Sequence, residues 1–400
     1  VLRHGALRWY LLARLCGTLA VQMQTVAVGW QVYEATHNPL DLGLIGLSQF
    51  LPFVVLILLA GHVADHYDRR RVVAGCFALQ ALGALLMLGY TRAGVPAVWP
   101  VFAIMSLFGV ARAFSMPAAQ AMLPNVVPPG DYGRAMPLSS SANQVARIAG
   151  PAIGGLLYFA GAETVYAVVA LMSAAAFGLI LAARAVRGAP AARVPLSWRN
   201  LLSGLAFVRT RPLVLGAISM DLFAVLFGGA TALLPAYAGD ILHAGPVGLG
   251  FLRTAPGVGA AICGLTLALR PIQRRAGRWM FAGVAAFGLA TVVFGISTEL
   301  WLSLAALTVL GAADMVSVFV RLMLVQLATP DPIRGRVSAV NSVFIGASNE
   351  MGEFESGLTA AWWGVVPAVL VGGAATMLVA WAWTRLFPAL WRIDRFPEQE

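Results

Sequence analysis

Apolar residues run through this chain in stretches of about 20, the length a helix needs to cross the hydrocarbon of a bilayer, with short polar breaks between them. Twelve such stretches fall near 9–32, 42–63, 72–91, 98–117, 136–158, 164–184, 212–235, 247–269, 279–297, 302–326, 338–361 and 366–387. The fifth, seventh and eleventh carry enough polar residues for a hydropathy window to miss them. The run from Trp9 to Val32 follows Arg3 and Arg8, as the core of a signal peptide would. It is long enough to span, and no small-residue cleavage site follows it, so it is expected to be the first span.

The pattern predicts an all-α membrane protein of twelve transmembrane helices. Composition agrees, because 60% of the 400 residues are hydrophobic and only 11% charged, too little charge to cover a soluble surface. All 27 basic residues are Arg, and they sit in short clusters between apolar runs, which argues against a nucleic-acid-binding domain. Laid on the span order, Arg69, Arg70, Arg71, Arg134, Arg187, Arg193, Arg199, Arg209, Arg211, Arg270, Arg274, Arg275, Arg278, Arg334 and Arg336 fall on alternate loops. The other loops hold only Arg92, together with Glu34, Asp41, Glu163, Asp240 and Glu299. This bias predicts an even number of spans with both termini cytoplasmic. Cys16, Cys76 and Cys263 show no CxxC spacing and are expected to be small core residues without a metal or redox role. With no HExxH, no nucleotide-binding glycine loop and no nucleophile–base pair, neither an enzyme nor a cofactor is expected.

The chain repeats itself. A shift of 202 residues aligns Gly109 with Gly311, Ala111 with Ala313, Gly133-Arg134 with Gly335-Arg336, Gly150 with Gly352, and Gly155-Leu156 with Gly357-Leu358. Earlier, a shift of 205 aligns Gly43-Leu44 with Gly248-Leu249 and Arg69-Arg70 with Arg274-Arg275. Two pseudo-symmetric six-helix bundles are therefore expected at 1–184 and 212–400, joined by a cytoplasmic linker over 185–211. Paired repeats of this kind put a substrate site near the midplane, with transport by rocking one half against the other.

Charges at membrane depth cost about 2.5 to 3.5 kcal/mol each and survive where they meet a partner or a wet cavity. Spans 3, 6, 9 and 12 have none in their interiors, as expected of an outer ring. The others hold Arg14, Arg112, Arg147, Asp221, Arg253, Asp314 and Arg321, with Glu350, Glu353 and Glu355 in the eleventh. Arg112 and Asp314 occupy equivalent repeat positions with opposite charge. Asp221, Asp314 and Glu350, with Glu353 on the same helical face, are candidates for proton or substrate coupling together with Arg112 and Arg147. Glu355, about 140° round the helix from Glu350, is expected to be structural. Gln22, Gln24, Trp30, Gln49, Asn143, Gln144, Asn341 and Asn349 are candidate cavity-lining residues, each equally suited to an interhelical hydrogen bond.

Two motifs point to a family. The loop after span 2, GHVADHYDRRR, carries Gly61, Asp65, Arg69 and Arg70, with Asp65 placed to cap the following helix. It resembles the major facilitator signature Gly-x-x-x-Asp-x-x-Gly-Arg-Arg/Lys, with Asp68 in place of the second Gly. Span 5 reads ARIAGPAIGG, and its Gly150, Pro151, Gly154 and Gly155 resemble the antiporter motif of the superfamily's exporters, lacking only the first Gly at Ala146. From VGWQVYEATHNPLDLGLIGLSQFLP through FSMPAAQAMLPNVVP to SNEMGEFESGL and WTRLFPALWRIDRF, the chain resembles the superfamily's bacterial siderophore exporters and their macrolide and multidrug relatives. The resemblance implies a monomeric, proton-coupled antiporter in the bacterial inner membrane. It would export a siderophore such as enterobactin, or a related hydrophobic compound. A multidrug or macrolide pump and a lysophospholipid-type flippase stay open as alternatives.

Overall fold

A computed structural model describes residues 4–183 and 198–394. Among them every element is helical: α1 (Gly5–Thr36), α2 (Pro39–His66), α3 (Arg69–Ala93), α4 (Trp99–Met122), α5 (Tyr132–Tyr158), α6 (Ala162–Ala182), α7 (Trp198–Thr210), α8 (Pro212–Phe227), the single turn α9 (Leu234–Ala236), α10 (Gly245–Leu269), α11 (Ala276–Ile296), α12 (Leu300–Leu327), α13 (Asp331–Trp363), α14 (Val365–Leu386) and the short α15 (Pro388–Trp391). Among the described residues, hydropathy and length alone pick out 10 spans, and they pass over α5 and α13. Both are too polar for the criterion, and both complete the twelve-span plan. Arg187 and Arg193 and the side chains of Asp65, Arg199 and Arg334 lie outside the described residues.

The seventh span is broken. Its α-helix stops at Phe227, before Gly228 and Gly229, and continues as a 3₁₀ turn (Ala230–Leu233), α9 and a π turn (Tyr237–Ile241). Gly229 packs so closely on the Gly352 carbonyl of α13 that no side chain fits there. The irregular turns keep their backbone groups paired, for example Leu242 N to Tyr237 O at 2.8 Å, and the Tyr237 hydroxyl donates to Gly295 O at 3.0 Å. In the expected linker, α7 buries Val208 against Val214 and Ile218 of α8 and Val325, Val337 and Val340, while Arg209 and Thr210 stay exposed.

The chain groups into two compact units. The first comprises Val1–Thr36, Leu47–Leu196 and Gly245–Thr254. In it α3 packs on α4 and α6, and α1 packs on α5 and α6. Leu7, Tyr10, Phe77, Met122 and Ile180 share its main core cluster. A polar network crosses α1, α3 and α6: Gln31 Nε2 donates to Thr91 Oγ1 at 3.0 Å, and the Tyr166 hydroxyl donates to Gln31 Oε1 at 2.7 Å. Before α5, His4 Nε2 lies 2.8 Å from Asp131 Oδ2, and this hydrogen bond holds the Asp131 carboxyl below the usual carboxylate range.

The signature loop works through its arginines. Arg69 donates to Ala64 O of α2 and to Ala121 O of α4, each at 3.2 Å, and Arg70 donates to Leu181 O of α6 at 3.2 Å. Cations thus sit on the last carbonyls of three helices, which have no intrahelical donors of their own. The expected cap is corrected. Because α2 continues through His66, Asp65 lies inside its last turn, and Asp68 is the N-cap of α3, accepting from Arg70 N at 3.0 Å.

The second unit comprises His37–Gly46, Ser197–Ala244 and Ala255–Glu400. There α11 packs on α12 and α14, and α8 packs on α13 and α14. Met220, Met280, Phe281, Val320 and Leu324 share a core cluster. The loop before α11 differs from its counterpart: Arg275 has a left-handed φ of 56°, and its N–H donates to Asp394 Oδ1 at 3.1 Å.

Glycine contacts correct the repeat register. A Cβ on Gly155 of α5 would stand 2.5 Å from Pro246 O and 3.0 Å from Gly250 Cα. One on Gly357 of α13 would stand 2.9 Å from Pro39 O and 3.0 Å from Gly43 Cα. Pro39 and Gly43 therefore correspond to Pro246 and Gly250, a shift of 207, and the shared Pro-x-x-Leu-Gly confirms it. The two-residue difference from the loop arginines is taken up between them. At these crossings backbone meets backbone, so a larger residue has nothing flexible to displace. Gly357→Val should destabilise the purified protein by the ~1–3 kcal/mol typical of overpacking, read as a lower melting temperature. Gly89→Ala, with no atom within 4 Å of the new Cβ, should leave it unchanged or slightly higher.

Candidate functional site

The second unit holds a buried charge cluster between α8 and α12. Asp221, on the middle of α8, forms an ion pair with Arg321 of α12, and the two are 5% and 2% exposed. On α12, Asp314, Ser317 and Arg321 follow the i, i+3, i+7 spacing that puts them on one helical face. Asp221, Asp314 and Ser317 line one cavity of about 10 Å³ with Ala224, Val225, Val284 and Phe287. That volume holds about one water. Ser317 is buried, and its Oγ has no hydrogen-bond partner among the described residues, nor has Arg321 Nε. Two contacts from α14 hold α8 in place: Thr376 Oγ1 donates to Ala224 O at 3.0 Å, and Trp383 Nε1 donates to Ser219 Oγ at 3.0 Å.

A second acidic group lies where α13 meets the first turns of α2. A Cβ on Gly46 would stand 3.0 Å from Glu353 Oε2 and 3.8 Å from Glu350 Oε2, so both carboxylates turn to one point on the α2 backbone. Gly352, between them, packs on the end of α8, its Cβ position 2.8 Å from Val225 O. Glu355 accepts from Thr359 Oγ1 through its backbone carbonyl at 2.9 Å.

The first unit gathers bases instead. Arg147 on α5 stands within electrostatic reach of Arg112 on α4 and Arg14 on α1. The Arg112 guanidinium lies 5.0 Å from the centre of the Phe53 ring, a cation–π contact. Around them, Thr18 donates to Asn143 Oδ1 at 2.8 Å, and Gln22 Nε2 donates to Arg147 O at 3.3 Å. The antiporter-motif glycines let α5 close on its neighbours. A Cβ on Gly150 would meet Gln22 Cβ at 2.5 Å, and one on Gly154 would meet Met23 Cα at 2.8 Å. Thr254 of α10 donates to Ile148 O at 3.0 Å, taking up a carbonyl in the turn before Pro151, which has no N–H to offer the helix.

The remaining polar candidates divide. Trp30 and Gln49 are half-buried, and Gln144 and Asn349 are exposed. Gln24 and Asn341 are buried at 2% and 4%, and both Gln24 amide atoms and Asn341 Oδ1 lack partners among the described residues. The sequence marks Arg321 only as a charge at membrane depth and does not single out Ser317. The structure pairs Arg321 with Asp221 inside one unit. The i, i+3, i+7 spacing on α12 was the available signal.

Twelve helical spans in two related sets of six, with charges gathered at membrane depth, define a membrane transporter. The chain belongs to the transmembrane secretion effector family of the major facilitator superfamily, which matches residues 1–395. It is 25% identical over 378 residues to the enterobactin exporter EntS of Shigella boydii serotype 18 and of Escherichia coli O139:H28, covering 94% of this chain and 86% of theirs. Among solved structures it is similar in fold to the nucleoside transporter NupG, with a TM-score of 0.73, 15% identity and coverage of 96% of this chain and 99% of that one. A bacterial homologue of the human lysosomal transporter Spinster, in an inward-facing and unoccupied conformation, matches with a TM-score of 0.75, 12% identity and coverage of 96% and 97%.

Removing one partner of a buried ion pair leaves the other charge uncompensated, at about 3–5 kcal/mol, whereas removing both is far milder. Arg321→Gln alone should therefore lower the melting temperature of the protein in detergent markedly. The Asp221→Asn/Arg321→Gln pair should recover most of the loss in the same melting experiment.

Proposed function

We propose that the protein is a proton-coupled antiporter that exports a siderophore such as enterobactin, or a related hydrophobic small molecule, by alternating access. It acts as a monomer in the bacterial inner membrane with both termini cytoplasmic. The observation that carries this reading is the cluster of buried Asp221 and Arg321 with half-buried Asp314, in a chain that belongs to a secretion family. Intramembrane acids of this kind are the usual proton relays of transporters. The arginine group of the first unit suits an anionic substrate such as a catecholate. The likeness to proteins named enterobactin exporters supports the substrate class.

One observation favours a second reading, a flippase for a lysophospholipid-type amphiphile. A cavity of about 510 Å³ opens between α2 and α4, lined by Ser48, Leu51, Pro52, Val55, Leu56, Phe102, Ala103 and Ser106. Leu51 and Val55 are 56% and 74% exposed, and the Ser106 hydroxyl is occupied by Ser48 O at 3.1 Å, so the wall offers an alkyl chain little but hydrocarbon.

Secretion of catecholate siderophores and of a dye panel, measured in a deletion strain with and without this protein, tests the substrate. In proteoliposomes, efflux should rise with an imposed pH gradient and collapse with a protonophore. Neutralising Asp221, Asp314 or Glu350 should uncouple or abolish it, and normal efflux in all three variants would remove their coupling role. Amphiphile movement that ignores the protonophore would favour the flippase.

A further inference from the structure

The buried cluster has an arithmetic of its own. It contains two carboxylates, Asp221 and Asp314, and one guanidinium, Arg321. Among the described residues of this unit, the groups packed around it bring no second cation. Asp221 is the only ionisable side chain on α8, Arg278 is the only one on α11 and lies in its first turn, and Arg385 is the only one on α14 and lies in its last turn. The part of α10 in this unit holds only Cys263, and the one cation of that helix, Arg253, falls in the part that belongs to the first unit. On α13, Arg336 reaches Ser203 of α7, Glu350 and Glu353 turn to Gly46 of α2, and Glu355 lies on a further face. An uncompensated charge in such a site is expensive, so the cluster reaches neutrality by protonating one carboxylate. Arg321 gives Asp221 its counter-charge, which leaves Asp314 as the acid without one in this count.

We propose that Asp314, Asp221 and Arg321 form one unit carrying a single exchangeable proton, resident on Asp314, with a water on Ser317 linking the two carboxylates. The second observation behind it is the Ser317 hydroxyl, 2% exposed and unpartnered among the described residues, on the wall of a cavity sized for one water between the two acids. Asp314 is only half-buried, so it is also the member of the unit that a proton reaches first. Arg321 is a positioning residue: it fixes how many protons the unit holds and on which acid. The proton is a property of the coupled group, so its residence follows the balance of acids to bases. The inference deepens the proton-coupled reading and rests on it for its role in transport.

The rule makes predictions that a purely structural ion pair would not. Infrared titration of the purified protein in lipid nanodiscs, with isotope-labelled aspartate, counts protonated aspartic acids by their carbonyl stretch. The wild type should show one such band that Asp314→Asn removes. Asp221→Asn should also remove it, because Arg321 then pairs with Asp314. The Asp221→Asn/Arg321→Gln double variant should restore it, and Arg321→Gln alone should show two bands. A wild type without an Asp314-dependent band, persistence of that band in Asp221→Asn, or its absence from the double variant would each overturn the proposal. Should Arg321→Gln fail to fold, the double variant, whose cluster regains neutrality with one proton, still decides the matter. Efflux measured in proteoliposomes is a separate readout: a correct band pattern without proton-dependent efflux would sink the transport reading and leave the one-proton unit standing.

Discussion

Hydrocarbon offers no hydrogen bonds, so every backbone N–H and C=O at membrane depth has to be met from within the protein. Nearly every feature of this chain answers to that constraint. Its spans are helices, its one broken span keeps its turns internally paired, and Arg69 and Arg70 are spent on the orphan carbonyls at the ends of α2, α4 and α6. The break at Gly228 and Gly229 is tolerated because α13 lies directly against it through Gly352.

Since lipid is as apolar as leucine, helices in a membrane are held together by close approach and by a few polar contacts, with little hydrophobic drive between them. The glycine crossings of α5 with the first turns of α10, and of α13 with the first turns of α2, are that close approach built twice from one plan. On this shared frame the two copies carry different chemistry. Ile148 and Pro151 of α5 correspond to Glu350 and Glu353 of α13, and Arg112 of α4 corresponds to Asp314 of α12. One copy collects bases and the other acids, and the packing residues are the same in both.

The twelve spans could be read from periodicity and length, including α5 and α13, because the internal repeat vouched for helices that hydropathy passes over. Boundaries and registers were less legible. Asp65 and Asp68 both sit where a cap could form, and only the observed end of α2 at His66 chooses Asp68. Letters alone place the early repeat register two residues away from the spatial one, because Gly43 matches Gly248 in sequence but Gly250 in space. Nor did a linker rich in Arg, Pro and Ala announce α7, whose short apolar face is stable only against α8 and α13.

The sequence alone determined the membrane class, the count of spans, the twofold plan and the list of charges that need an explanation. Each of these follows from local properties, the length and polarity of a run and the recurrence of a motif, which a chain carries whatever its fold. Which charges meet is a different kind of fact. Asp221 and Arg321 are separated by 100 positions and Ser317 is an ordinary helical serine, so nothing along the chain joins them. Only the packing of α8 on α12 brings Asp221, Asp314 and Ser317, whose hydroxyl has no partner among the described residues, to a single small cavity and sets Arg321 on Asp221, because burial acts on neighbours in space and takes no account of their order in the chain.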